Sequence, residues 1–480
     1  MSFLKTCEET VIGRFLFPFS NTLFNRRGIL KRYRDLKRTS DCSSDELHSI
    51  QLGLLKEVLK TANEYVPYYT RLFKKIDFEP RDFKEFEDLQ LIPPLTREDL
   101  IDNRLDLVDT RWRAAAEKAN TSNGAPGEPH PLALFRGKQL IRNSSSGSTG
   151  QPTIFYETGS ITASNWANEL RLRSWFNIQP GAREVRIARM SINDFRKSKV
   201  IPIRRRLWNQ LQLPGASMTD EDYAFTAKEV SGFKPRVLWS NTYSLVGLAE
   251  YIKAHPKAYQ PLRPELIITW AAPLYDHERV ILENVFRCPV SNIYGLREVG
   301  HIASQSEHGS MHIHQESVYL ESLHNNSSIA TNTPSELLAT TLVPTPMPFI
   351  RYHTGDVGTF SDSECACGMK LKTLKELTGR TGEIFRTDDG RMIPAGLWCH
   401  LFMDAKLDSA VRRFQIVYRP ENQIVIRIVK GTTYNEGTEP HLKATIQQNI
   451  GSTIKLKFEY LETIPAQPSG KRPIILNEAP

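Results

Sequence analysis

Short apolar runs alternate with amphipathic stretches through residues 150–350, and no other feature constrains the fold so tightly. Val237-Leu238-Trp239, Leu266-Ile267-Ile268-Thr269 and Pro289-Val290-Ser291-Asn292-Ile293 are the apolar runs. Helical patterns lie between them, over 243–255 and 275–286. That alternation predicts an α/β sheet. Upstream, Leu47, Ile50, Leu54, Val58 and Ala62 recur at helical spacing, so 46–75 reads as helices. Ala114-Ala115-Ala116 is followed by breakers from Asn120 to Gly127, which read as an exposed loop.

Beyond about residue 383 the period changes. Phe414, Ile416 and Tyr418 alternate, Pro420-Glu421-Asn422 turns the chain, and Ile424, Ile426 and Ile428 alternate again. A helix is expected around 440–450 and a third strand through Ile454, Leu456, Phe458 and Tyr460. This ββαβ pattern predicts a small second domain. The expected division is a basic N-terminal extension over 1–44, a large domain over 45–380 and a small mobile domain over 381–480.

At 480 residues, 40% hydrophobic and 24% charged, the chain is in the soluble globular class with room for more than one domain. No apolar run approaches the roughly 20 residues of a membrane span. Acids at Glu8-Glu9 stand where a secretory segment needs an apolar core, and six cysteines make no disulfide framework. A cytoplasmic home is expected. The net charge of +8 owes much to two clusters, Arg26 to Arg38 and Arg196 to Arg206. Each suits a solvated basic face. The first follows apolar Val11 to Phe19, a pattern that suits either a peripheral membrane contact or a helix packed on the main domain.

Five segments carry chemistry. Ser144-Ser145-Ser146-Gly147-Ser148-Thr149-Gly150-Gln151-Pro152-Thr153 concentrates hydroxyls and glycines behind Arg136, Lys138 and Arg142. Glycine lets backbone N–H groups close on an anion, and hydroxyls add donors, so the loop can hold a phosphate. It lacks the Lys-Ser/Thr ending of a Walker loop, and a Ser/Gly run alone equally suits a linker. Asn292-Ile293-Tyr294-Gly295-Leu296-Arg297-Glu298-Val299-Gly300 sets an aromatic and a carboxylate just after an expected strand, where ligands sit in α/β sheets. Phe349 to Gly358 holds Asp356 in an expected Gly-flanked turn, where it can accept from a ribose diol. Leu377-Thr378-Gly379-Arg380-Thr381-Gly382-Glu383 lies at the domain change, and Pro468-Ser469-Gly470-Lys471-Arg472 near the C-terminus. Singly, each also fits an ordinary turn or surface charge.

In order and spacing the five resemble the adenylate-forming superfamily of acyl-CoA synthetases. Within it they look most like the phenylacetate–CoA ligase group and its capsular-polysaccharide-biosynthesis branch. Ala62 to Tyr69, Leu91 to Leu100 and Arg297 before Glu298 match that branch, and the likeness runs from about residue 45 onward. It implies an α/β fold with a large N-terminal adenylate-forming domain and a small α+β C-terminal domain on a hinge. It further implies that Ser145, Ser146, Gly147, Ser148, Thr149, Gly150 and Thr153 grip the ATP phosphates. Tyr294 and Gly295 would meet the adenine, lined on its other side by Ala271, Ala272 and Pro273. Glu298 would bind Mg²⁺, Asp356 and Arg380 the ribose. Lys471, Glu298 and Arg297 would form the catalytic set, and Gly382 the hinge.

Several positions depart from the superfamily. Thr153 replaces a common lysine, Ala272 a glutamate, His353 an arginine and Gly382 the hinge acid or lysine. Relatives can carry a structural zinc; here His312, Cys365 and Cys367 match its ligands but Ser306 stands at the expected fourth, so His301, His308 or Glu307 would have to complete the site. The implied reaction is ATP-dependent activation of a carboxylic acid and transfer to a thiol, coenzyme A first. Transfer of AMP or acyl to a hydroxyl or amine is the alternative. A basic nucleotide- or nucleic-acid- or membrane-surface-binding protein without catalysis is a third, though the basic clusters and their aromatic neighbours form no recognisable nucleic-acid module. The acid would meet 239–243, 270–272 and 295–300, where Trp239 and Trp270 imply an apolar or aryl-sized cavity. A homodimer is also plausible by resemblance.

Overall fold

The computed structural model describes residues 9–19, 28–121, 140–144, 153–188, 192–198, 200–215, 219–259, 262–323, 332–380, 385–386, 392–393, 398, 401–402, 410–419, 423–450, 455–465 and 474–478. Strands β1 (Ile141–Ser144) and β2 (Ile154–Glu157) pair as an antiparallel hairpin. The main sheet comprises β3 (Glu184–Ala188), β4 (Gln210–Pro214), β5 (Val237–Asn241), β6 (Leu266–Trp270), β7 (Val290–Leu296), β8 (Gly300–Gln305), β9 (Met311–Ile313), β10 (Val318–Ser322), β11 (Ser335–Thr341), β12 (Tyr352–Phe360) and β13 (Thr373–Arg380). Their order is β10-β11-β12-β13-β9-β8-β7-β6-β5-β3-β4. Pairing is parallel from β4 to β7 and turns antiparallel at β8.

The α/β expectation is met: the three apolar runs lie in β5, β6 and β7, separated by helices Thr242–Ala254 and Asp276–Phe286. Their near-continuous apolarity has a cause in the layers. Val237, Trp239, Leu266 and Ile268 join one buried cluster with Leu172 of helix Gly159–Trp175. Leu238, Ile267 and Val290 point to a second cluster with Leu245, Leu248, Leu282 and Phe286. A strand covered on both faces has no polar side to show.

Helix Ser44–Tyr65 opens with a capping box between Ser43 and Glu46. Its buried face is Leu47, Gln51, Leu55, Leu59 and Ala62, rotated from the expected one. The basic stretch before it takes the packed-helix form that its apolar-plus-basic pattern also suited. Helix Gly28–Thr39 packs Ile29, Tyr33 and Leu36 with Phe17 against Ala167, Leu170 and Trp208. Arg32 donates to the Glu316 carbonyl (3.0 Å) and Ser317 Oγ (3.1 Å), and burial lowers its pKa. One member of the cluster read as a solvated face is therefore a half-buried cation tied to the fold by hydrogen bonds. Among the described residues no helix is long and apolar enough to cross a membrane.

Two compact units are distinguished. One draws on residues up to Leu274, Glu278–Thr354 and Thr359–Glu376; the other on Tyr275–His277, Gly355–Gly358 and Leu377 onward. In the smaller, β14 (Phe385–Arg386) pairs with β15 (Met392–Ile393). Four further strands, β16 (Val411–Arg419), β17 (Gln423–Lys430), β18 (Lys455–Tyr460) and β19 (Ile475–Asn477), order as β18-β17-β16-β19. The hairpin register sets Phe414 opposite Ile428, Ile416 opposite Ile426 and Tyr418 opposite Ile424. Those residues share a core with Trp398, Phe402, Leu442 and Ile446.

Candidate active site

The parallel register aligns Asn241 and Trp270, the last residues of β5 and β6, with Ile293, three residues before the end of β7. The residues that follow them form a shelf where the sheet changes sense, the usual ligand position in such sheets. Ala271, Ala272 and Pro273 lead off β6, and Thr242 Oγ1 donates to the Ala272 carbonyl at 3.4 Å. Ala271 has φ +66°, a left-handed conformation that costs a residue with a Cβ about 1 kcal/mol or more. Trp239 stacks on Trp270 at 4.9 Å, and Trp270 is 37% exposed.

Tyr294 and Gly295 lie inside β7 rather than after it, because the strand runs on to Leu296 and turns into β8. A register shift falls between Tyr294 and Gly295. Such a bulge re-aims the residues beyond it. A Cβ on Gly295 would lie 2.6 Å from the Gly300 carbonyl oxygen, so glycine is required there. Gly300 has φ +90°, and Asn165 Oδ1 accepts the His301 N–H at 2.8 Å. These contacts fix the turn that presents Arg297 and Glu298.

Glu298 is buried, with the Tyr352 hydroxyl 3.5 Å from its Oε1. A buried carboxylate oxygen suits a hard cation such as Mg²⁺, which would compensate its burial. Exposed Arg297 donates from Nη1 to the Ser144 carbonyl at 2.8 Å. Ser144 ends β1, so the tyrosine–glutamate turn touches the start of the hydroxyl- and glycine-rich segment. The far end of that segment is also held. Fully buried Thr153 accepts from Arg97 Nε at 2.9 Å. Arg97 begins helix Arg97–Asp102, whose Thr96 cap follows Leu95. Leu95 bonds in turn to Arg351 and His353 on either side of Tyr352.

Glu157, at the end of β2, is a group the sequence did not single out. Burial pushes its carboxyl up to about 7, opposed by the Asn143 amide (3.2 Å) and the Arg297 charge. Arg97 and Tyr352 were visible only as parts of longer motifs, and Asn165 had no signal. Asp356 is buried within strand β12 rather than in a turn; Gly355, at φ +72°, supplies the irregularity that resembled one. His353 Nε2 lies 2.8 Å from Glu336 Oε2. Arg380 closes β13. Ser145, Ser146, Gly147, Ser148, Thr149, Gly150, Gly382 and Lys471 lie outside the described residues.

His312, Cys365 and Cys367 converge with their donor atoms within 4.8 Å of one another. Ser306 Oγ is 3.7 Å from Cys365 Sγ. Three soft donors beside a hydroxyl fall one short of a closed tetrahedral zinc site.

Residues 385–478 match the family described as the CapK C-terminal domain. Protein CapK of Staphylococcus aureus is 21% identical over 497 aligned residues, covering 99% of each chain. A phenylacetate-coenzyme A ligase of Thermus thermophilus is 22% identical, covering 79% of this chain and 80% of its own. Among solved structures, 2-hydroxyisobutyryl-CoA ligase in its postadenylation state aligns with a TM-score of 0.70 at 17% identity, over 92% of both chains. That last is a likeness of fold.

Proposed function

The chain belongs to the phenylacetate–CoA ligase-like branch of the adenylate-forming superfamily, and from that premise we propose that it activates a small carboxylic acid with ATP and passes the acyl group to coenzyme A. One observation carries this reading. The Arg297–Ser144 hydrogen bond joins the turn bearing Glu298 to the start of the hydroxyl- and glycine-rich segment, two pieces 153 residues apart in sequence. An adenylate-forming site needs those two together, one for a metal and base, the other for phosphates.

A carboxylate repels nucleophiles. Its oxygen attacks the α-phosphorus, the Pα–O bond to the β-phosphate breaks, and pyrophosphate leaves. The thiol sulfur then attacks the acyl carbon, AMP departs with the C–O electron pair, and the thiol proton goes to solvent. Glu298 would hold Mg²⁺, and the metal would offset phosphate charge. Tyr294 and Ala271–Pro273 bracket the adenine, and Asp356 and Arg380 take the ribose. Lys471 neutralises charge where acid and phosphate meet. Rotation about Gly382 exchanges the surface for the first half-reaction with that for the second.

ATP–pyrophosphate exchange across aryl, fatty and amino acids tests the reading. Exchange is expected with one acid class and falls about 100-fold or more in Lys471→Ala. No exchange with any acid while ATP still binds overturns acid activation and points to AMP transfer onto a hydroxyl. Product analysis separates thioester from amide.

A further inference from the structure

Residues 9–19 form one continuous helical stretch, with a π turn over Ile12–Leu16. Its inner side is firmly held. Ile12 and Phe17 are buried, and Phe17 meets Trp208 edge-on at 6.0 Å. A Cβ at Gly13 would overlap the Pro180 carbonyl, so the backbone lies directly on the body there. Glu9 accepts from Arg236 Nη1 at 2.9 Å. These contacts set Val11, Phe15 and Phe19, spaced four apart, on the outer side, where Phe15 is 65% and Phe19 62% exposed. A helix docked this tightly cannot roll to bury them. Basic side chains gather round this row. Phe17 shares one buried cluster with Ile29, Tyr33, Leu36 and Trp208, so helices Gly28–Thr39 and Val200–Trp208 pack on the same core as the stretch. The first exposes Lys31, Arg34 and Arg38 along one face, with Lys37 beside them and Asp35 as the acid among them. The second exposes Ile203, Arg205 and Arg206, and Arg14 is exposed next to Phe15. Two basic clusters far apart in sequence thus meet one apolar row.

We propose that this side of the protein docks on an anionic lipid surface, with Phe15 and Phe19 entering the headgroup boundary and Lys31, Arg34, Lys37 and Arg38 meeting lipid phosphates. An interfacial helix binds by this combination, apolar side chains that leave water and cations that meet negative headgroups. Charge decides between the occupants. A second copy of the chain would bring the same positive charge against this face. A nucleic-acid duplex would match the charge but leave the phenylalanines in water. An anionic bilayer satisfies both parts at once, since its phosphates lie directly above its hydrocarbon. The inference is independent of the reaction proposed above, because these helices carry none of the residues assigned to it.

Flotation of the full chain with two kinds of vesicle tests this, one of phosphatidylcholine alone and one containing one-third phosphatidylglycerol. Wild type is expected to float with the anionic vesicles, to stay behind with the neutral ones, and to bind less as salt is raised. Phe15→Ser with Phe19→Ser, and separately Lys31→Glu with Arg34→Glu, should each lower partitioning by about tenfold. These variants change exposed side chains only, and unchanged unfolding midpoints verify that they fold. Leu91→Ser, at a residue equally exposed on another segment, should bind as wild type. Absence of wild-type binding to the anionic vesicles overturns the inference, as does a loss in Leu91→Ser equal to that in the phenylalanine variant. Binding that the serine pair leaves intact, while the charge reversal abolishes it and duplex DNA competes for it, overturns it in favour of a nucleic-acid surface. A dimer in sedimentation velocity that the serine pair dissociates, without vesicle binding, overturns it in favour of a second copy.

Discussion

Glu157 is a carboxyl that water hardly reaches, 8% exposed at the base of the hairpin. Its proton is held to about pH 7 in the fold, against an ordinary value near 4.5, because burial disfavours the charge more than Asn143 and Arg297 favour it. The consequence for stability has a definite sign. A group whose pKa is raised by folding contributes fully below its unfolded pKa, and that contribution is lost as pH rises through the folded one. Wild-type stability relative to Glu157→Gln, which does not titrate, should therefore fall between pH 5 and pH 8.5, by on the order of 2–3 kcal/mol. Urea unfolding of both proteins without nucleotide, at the two pH values, measures it. A difference that stays flat with pH would show that the carboxyl is already ionised at pH 5. Nothing in the sequence pointed to this residue. It follows two aromatic residues in a strand of alternating reach, and its burial comes from what covers the strand, which no local pattern encodes.

Among the elements, the strands were legible where burial on both faces left long apolar runs, as in Leu266–Trp270. Helix phase was less so. Counting apolar residues put Ile50, Leu54 and Val58 on the inner face of Ser44–Tyr65, whereas the helix buries Gln51, Leu55 and Leu59. The discrepancy comes from one polar residue. Gln51 Nε2 donates to the carbonyls of Gln315 and Val318, each at 3.0 Å, and so occupies a core position that periodicity assigns to an apolar side chain. Gln51→Leu would perfect the apolar stripe and strand both carbonyls. It should destabilise by about 1–3 kcal/mol, because leaving buried acceptors unmade outweighs the added apolar surface. Chemical denaturation decides; a variant as stable as wild type would mean that the stripe, and not the amide, fixes the helix. The same limit explains the basic helix Gly28–Thr39. Composition showed its charge, but Arg32 is bound by groups 284 and 285 residues away. Only the tertiary fold could separate that one arginine from its solvated neighbours.

At the level of the whole molecule, the change of period near residue 383 was the clearest organisational signal, and it reflects a separate core. Phe414, Ile416, Ile424, Ile426 and Ile428 pack with Trp398, Phe402, Leu442 and Ile446, while strands β3 to β7 of the large sheet bury theirs in two other clusters. The last strand, Ile475–Asn477, was not legible. At three residues it carries no periodicity, and it owes its extended form to parallel pairing with Ile416–Tyr418. Separate cores imply separately cooperative unfolding. Ile426 is fully buried, so Ile426→Ala removes packing from the smaller core at a cost of about 2–5 kcal/mol. For a unit of this size that lowers its midpoint by on the order of 10 °C or more. Calorimetry of the full chain should then show one transition moved down and the other in place. If instead a single transition moves as a whole, the two cores unfold as one, and the smaller unit cannot reorganise on its own during the acyl-transfer step proposed for it.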